Sequence, residues 1–125
     1  MGTLSTDSAV LKQTPYSFSS RFAAGSGTNP EELIAAAHAG CFTMALAAAL
    51  ESAGFTADTL STTAALSLEN HPKTSWTITA IHLSTAGKVP GIAPEKFAEI
   101  AAGAKTNCPV SRLLRAEITL DARLD

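Results

Sequence analysis

Two thiols carry the first chemical signal in this chain. Cys41 lies in Ala36-Ala37-His38-Ala39-Gly40-Cys41-Phe42, and Cys108 stands before a proline in Asn107-Cys108-Pro109-Val110-Ser111. An uncharged helix around Cys41 would screen that thiol from water, and most free cysteines so placed are inert packing. Cys108 falls where a helix opening at Pro109 would have its N-cap, and helix N-termini lower thiol pKa values. Brought together by the fold, the two could reduce a substrate. A metal is the other chemistry to weigh. His38 and Cys41, spaced i, i+3, share a helix face, and Cys108 with His71 or His82 could complete four ligands. The chain has no Cys-x-x-Cys pair, however, and its histidines show no ligand spacing, so the metal reading is weak. Charge is scarce near this region. Glu31 could hold the Arg21 guanidinium in a fixed bidentate geometry with other N–H groups facing a substrate. From composition alone these two read as a surface arginine and a helix-start glutamate.

The elements that must position these groups follow from pattern. Tyr16, Phe18 and Phe22 alternate with polar residues, which predicts a strand with Arg21 on the opposite face. Gly25-Ser26-Gly27 reads as a loop. Asn29 offers an N-cap, Pro30 suits a first helical position, and Glu31 and Glu32 favour the positive helix end. That helix should run to about Ala53 and stop at Gly54. Alternation from Thr59 to Leu68 predicts a second strand, and Asn70-His71-Pro72 a turn into a third from about Ser75 to Thr85. Pro94 opens a second helix ending near Thr106, Pro109 opens a short third, and Ala116 to Leu124 is a closing strand. Strand runs broken by helices without a βαβ repeat indicate an α+β fold with a mostly antiparallel sheet.

At 125 residues the chain is one domain, long enough to bury roughly two-thirds of its unfolded surface. Only 16% of residues are charged, against 46% hydrophobic, and the nine Lys and Arg form no patch. That excludes a nucleic-acid or acidic-membrane partner and suggests surface buried against a second copy. Two cysteines are too few for a disulfide scaffold. The polar start lacks a signal peptide, and its match to a myristoylation pattern through Gly2 and Thr6 is chance. Leu33 to Leu50 is uncharged and long enough to cross a bilayer, but it is alanine-rich and flanked by Glu31, Glu32 and Glu51 without basic anchors. A helix buried in protein on every side is the better reading, in a cytoplasmic protein.

The run Gly27-Thr28-Asn29-Pro30-Glu31-Glu32-Leu33, the stretch from Ala36 to Phe42, and Cys108-Pro109-Val110-Ser111 together closely resemble the OsmC branch of the OsmC/Ohr peroxidases. Pro15-Tyr16-x-Phe18, Arg21-Phe22 and the ending Ala116 to Asp121 fit as well. The resemblance implies a single OsmC-like domain over residues 1–125, with a long central buried helix, in an intertwined homodimer. The additional first strand usual in the family is expected to be missing. It further implies a thiol peroxidase, chiefly for organic hydroperoxides, acting in oxidative and osmotic stress defence without a cofactor or metal. Cys41 matches the peroxide-attacking cysteine and Cys108 the resolving one, with Arg21 and Glu31 the active-site arginine and glutamate. An external dithiol, with a lipoyl-type dithiol one candidate, would restore the enzyme. Phe42, Met44 and the alanine-rich helix would offer apolar surface to an alkyl group. The rival reading is a binding or structural domain with inert thiols.

Overall fold

The computed structural model describes residues 2–22 and 27–125, which divide into two compact units, the first ending at Ile34 and the second spanning Ala35–Asp125. In the first, β1 (Gly2–Leu4) pairs antiparallel with β2 (Thr14–Tyr16), Gly2 opposite Tyr16 and Leu4 opposite Thr14. β1 is too short to show a pattern and was not anticipated. The strand expected from Tyr16 to Phe22 ends at Tyr16, and Ser19–Arg21 forms a single 3₁₀ turn. The serines explain the difference. The Ser20 hydroxyl donates to the Ser17 carbonyl at 2.6 Å, and the Ser20 N–H donates to the Ser17 hydroxyl at 3.2 Å. Such local bonds give the backbone an alternative to a ladder. Arg21 therefore does not oppose Phe18 across a strand; its guanidinium lies 5.4 Å from that ring's centroid.

Of the expected Gly25-Ser26-Gly27 loop, only Gly27 is among the described residues. It has φ +97°, and a Cβ there would come within 2.6 Å of the Pro15 carbonyl oxygen, so glycine alone fits. Helix α1 (Pro30–Ser52) then starts as its sequence signals: Asn29 Oδ1 accepts the Glu32 N–H at 2.8 Å. Its far end closes over Gly54 at φ +92°, with the Phe55 N–H donating to the Leu50 carbonyl at 2.9 Å.

In the second unit, alternation builds the sheet. β3 (Thr59–His71) pairs antiparallel with β4 (Ser75–Lys88), so the expected turn at Asn70-His71-Pro72 begins only after His71. Leu60, Thr62, Ala64 and Leu66 face Gly87, Thr85, Leu83 and Ile81, which in turn pair with Leu124, Ala122, Leu120 and Ile118 of β5 (Glu117–Leu124). One face is thus mainly apolar, and Ser61, Thr63, Ser84, Asp121 and Arg123 occupy the other. β4 and β5 run parallel, so this sheet is mixed where a mostly antiparallel one is expected. Adjacent parallel strands require a crossover, supplied by α2 (Pro94–Asn107) and α3 (Pro109–Leu113). The core joins Phe42, Leu46 and Leu50 of α1 with Ile81 and Leu83 of β4 and Phe97, Ala101 and Ala104 of α2.

Within a single chain, α1 is buried along one face only. Only His38, Phe42, Leu46 and Leu50 are buried, a single i, i+4 stripe, whereas Ala36, Ala37, Gly40, Met44 and Ala48 are exposed. By length and composition α1 could cross a membrane, but its buried stripe belongs to the core of the second unit.

Gly87 shows how tightly α2 sits on the sheet. A Cβ at this position would lie 2.9 Å from both Leu60 Cδ2 and the Phe97 ring. Because Phe97 is almost fully buried, it has little room to retreat. Gly87→Ala should cost about 1–3 kcal/mol, read as a lower urea midpoint with an unchanged slope. An unchanged midpoint would show that the crossover is loosely packed.

Candidate active site

Cys108 occupies a junction made by two helices. It ends α2, where its N–H donates to the Ala104 carbonyl at 3.0 Å, and it precedes Pro109 at the first position of α3. Backbone N–H groups that open a helix have no intrahelical acceptor, so those of Val110 and Ser111 are available to a sulfur. Those two N–H groups, together with the Ser111 hydroxyl and the Cys41 thiol, act to lower the Cys108 pKa. Burial works to raise the Cys108 pKa, but these donors outweigh it and bring the thiol below its ordinary value. Cys41, half-buried on α1, is moved the other way. Desolvation pushes its thiol up, partly opposed by the Val110 N–H, and the adjoining Cys108 adds to the rise.

The fold therefore brings together two cysteines that lie far apart in sequence. Both are free, Cys108 fully buried and Cys41 partly open to solvent. Acidity and access are divided between them. Cys108 is the better thiolate, whereas Cys41 is the thiol a dissolved molecule can reach.

His38 lies one turn before Cys41 and is fully buried. Its Nε2 is 2.7 Å from the Ser111 hydroxyl, and its Nδ1 has no partner among the described residues. Burial lowers the His38 pKa, which keeps the ring neutral. His38 is thus satisfied by a neighbour at one ring nitrogen only. Ser111 belongs to the Cys-Pro-Val-Ser motif, and its position in the first turn of the helix that Cys108 caps is the local signal of its role. The other histidines lie elsewhere. His82 on β4 bonds Thr119 at 2.6 Å and Asp121 at 3.2 Å, and His71 accepts the Lys73 N–H at 3.1 Å. No cluster of three potential metal ligands forms among the described residues.

Arg21 and Glu31 lie in the first unit, where they form an ion pair: Arg21 Nε donates to Glu31 Oε2 at 3.0 Å. The Asn29 amide donates to the Ser20 carbonyl at 3.0 Å, tying the 3₁₀ turn to the start of α1 and so fixing the pair. Engaging Nε leaves both Nη groups without a hydrogen bond among the described residues. Beside them is a hollow of about 160 Å³ lined by Tyr16, Ser17, Phe18, Arg21 and Pro30. Phe18 and Phe22, both largely exposed, stack edge to face with centroids 5.3 Å apart. Phe42, expected to offer surface to an alkyl group, is instead fully buried in the core, while Met44 is exposed.

A family model described as OsmC-like protein matches residues 23–123. The peroxiredoxin OsmC of Escherichia coli strain K12 is 52% identical over 123 residues, covering 98% of this chain and 85% of that protein. A putative organic hydroperoxide resistance protein from Vibrio cholerae, solved with captopril in one of its active sites, superposes with a TM-score of 0.75 at 22% identity, covering 98% of this chain and 83% of that one. The organic hydroperoxide resistance protein OhrB of Bacillus subtilis gives a TM-score of 0.70 at 23% identity, over 97% and 87% of the two chains. With a family model spanning most of its length and a relative half identical to it, this chain belongs to the OsmC family.

Proposed function

We propose that this protein is a cytoplasmic, peroxiredoxin-type peroxidase that reduces organic hydroperoxides, and hydrogen peroxide more weakly, in oxidative and osmotic stress defence. The reading rests on one observation above all: a reachable thiol, Cys41, adjoins a buried one, Cys108, whose sulfur collects helix N-terminal donors. In the proposed cycle the Cys41 thiolate attacks the terminal peroxide oxygen. The O–O bond breaks, the alcohol leaves with a proton, and Cys41 becomes a sulfenic acid. Cys108 then attacks that sulfur and expels the hydroxyl as water, leaving a disulfide that an external dithiol reduces by exchange.

Arg21 has a definite task in this scheme. An unperturbed thiol is roughly 7% thiolate at cytoplasmic pH. Lowering its pKa by about three units raises that fraction some thirteen-fold but costs about twenty-fold in intrinsic nucleophilicity. Acidity alone therefore gains nothing. Within its own unit Cys41 is moreover pushed up rather than down. A guanidinium beside Cys41 would hold the thiolate, orient the peroxide and take up charge on the departing oxygen. Glu31 would fix that guanidinium, and Tyr16, Phe18 and Pro30 beside Arg21 would favour an alkyl group.

We further propose that the enzyme works as a homodimer. The exposed stripe of α1, from Ala36 through Gly40 and Met44 to Ala48, is apolar and, Met44 apart, small, which suits close packing against a second copy. Its resident group is the thiol pair, with no cofactor or metal required by the scheme.

Counting thiols tests the function. About one equivalent of cumene hydroperoxide should remove both free thiols and leave an internal disulfide that a dithiol reverses. Thiols that survive this treatment would indicate an inert dimer domain instead.

A further inference from the structure

His38 has no part in the proposed cycle, yet its burial is hard to explain by packing. It shares a stripe with Phe42, Leu46 and Leu50, where an aliphatic residue would fill space without stranding a polar atom. Its Nδ1 is buried without a partner among the described residues, a cost that buried polar groups normally avoid. The other ring nitrogen reaches Ser111, which itself faces Cys108.

Hydrogen counting sets the direction of this chain. The Ser111 hydroxyl has one proton, and when Cys108 is the thiolate that resolution requires, that proton is the one Ser111 can give to its sulfur. Ser111 Oγ must then accept at the 2.7 Å contact, so Nε2 carries the ring proton and Nδ1 is the bare nitrogen. We propose that His38 is a positioning residue for the resolving step: its Nε2–H holds the Ser111 hydroxyl in the orientation that donates to the Cys108 sulfur. Burial keeps the ring neutral, so it donates without placing a charge among the thiols. The titratable groups of this cluster are His38 itself, Cys41 from α1 and Cys108 from the α2–α3 junction. No carboxylate or cationic side chain among the described residues contributes to the state of any of the three.

The inference rests on the peroxidase reading for its kinetic consequence. In resolution, the Cys108–Cys41 S–S bond forms as the S–O bond of the sulfenic acid breaks, and the hydroxyl leaves as water with the proton given up by Cys108. A misaligned Ser111 would leave Cys108 more often protonated and slow this step rather than peroxide attack.

Three full-length variants test it: His38→Leu removes the donor, His38→Gln keeps an N–H near the Nε2 position, and Ser111→Ala removes the intermediary. Each is mixed with one equivalent of cumene hydroperoxide while peroxide loss and disulfide formation are followed separately. Loss of one charge-assisted hydrogen bond should lower the rate of disulfide formation relative to peroxide loss about tenfold in His38→Leu and Ser111→Ala. His38→Gln should recover most of that loss. In a Cys41→Ser background, the pH midpoint of the Cys108 thiolate's ultraviolet absorbance should rise in both defective variants and return toward its starting value with glutamine. An unchanged rate ratio and thiolate titration in His38→Leu would overturn the proposal, as would a glutamine variant as impaired as leucine. Should His38→Leu fail to fold, Ser111→Ala and His38→Gln still decide it through the same titration midpoints. If the parent protein consumed no peroxide, the functional reading would fail, while those midpoints would still report on the hydrogen-bond chain.

Discussion

Cys41→Ser should abolish peroxide consumption, whereas Cys108→Ser should consume about one equivalent and stop with a trappable sulfenic acid. The contrast is informative because acidity and access favour different sulfurs. If acidity governed the first step, Cys108 would be the nucleophile, since the donors around it outweigh its burial. Complete burial, however, denies Cys108 contact with a dissolved hydroperoxide, while Cys41 is partly open. A serine hydroxyl lacks the thiolate's nucleophilicity, so no partial rescue is expected at position 41. Steady-state peroxide loss and dimedone labelling of each variant read the outcome. Substantial turnover by Cys41→Ser would exchange the roles of the two thiols.

The second large effect is expected from mixed dimers. Cys41→Ser and Glu31→Ala should each be nearly inactive, yet unfolding and refolding them together should restore activity. Both residues belong to the continuous helix Pro30–Ser52. Ten helical residues nevertheless correspond to a rise of about 15 Å, beyond the comfortable reach of a glutamate holding an arginine. Two antiparallel copies of α1 crossing near Ala36 would set Glu31 of one chain beside Cys41 of the other. Ala35, Ala36 and Ala37 are small enough for that approach. A heterodimer would then contain one site with a wild-type Arg21, Glu31 and Cys41. Heterodimers demonstrated by mass but devoid of activity would place each site within one chain.

Much of this arrangement could be read in the sequence where a local cause sets the structure. Asn29 and Pro30 fix the start of α1, Gly54 its end, and Pro94 and Pro109 the openings of α2 and α3, because caps and φ limits act over a few residues. Alternation in Leu60, Thr62 and Ala64 gave the buried face of β3 and likewise that of β5. Alternation does not encode strand direction, so the parallel pairing of β5 was hidden. Around Arg21 the aromatic spacing was real, but serine hydroxyls captured the backbone that a strand would have used. The two thiols were identifiable from their local motifs, and their acidities only from their surroundings. His38 and Ser111 are 73 residues apart, a distance over which no local pattern can join them.

The parallel pairing of β4 with β5 has a consequence beyond placement. The crossover it demands carries Cys108, so a Cys41–Cys108 bond would close a covalent ring containing β3, β4 and α2, with β5 outside it. For a ring of about 68 residues the loop-entropy relation gives a denatured-state restriction of about 4 kcal/mol. Each oxidation would thus make the chain harder to unfold, and each reduction would return that resistance. A protein working against oxidants would be most tightly fastened while awaiting its reductant, and the dithiol would have to act on a folded molecule.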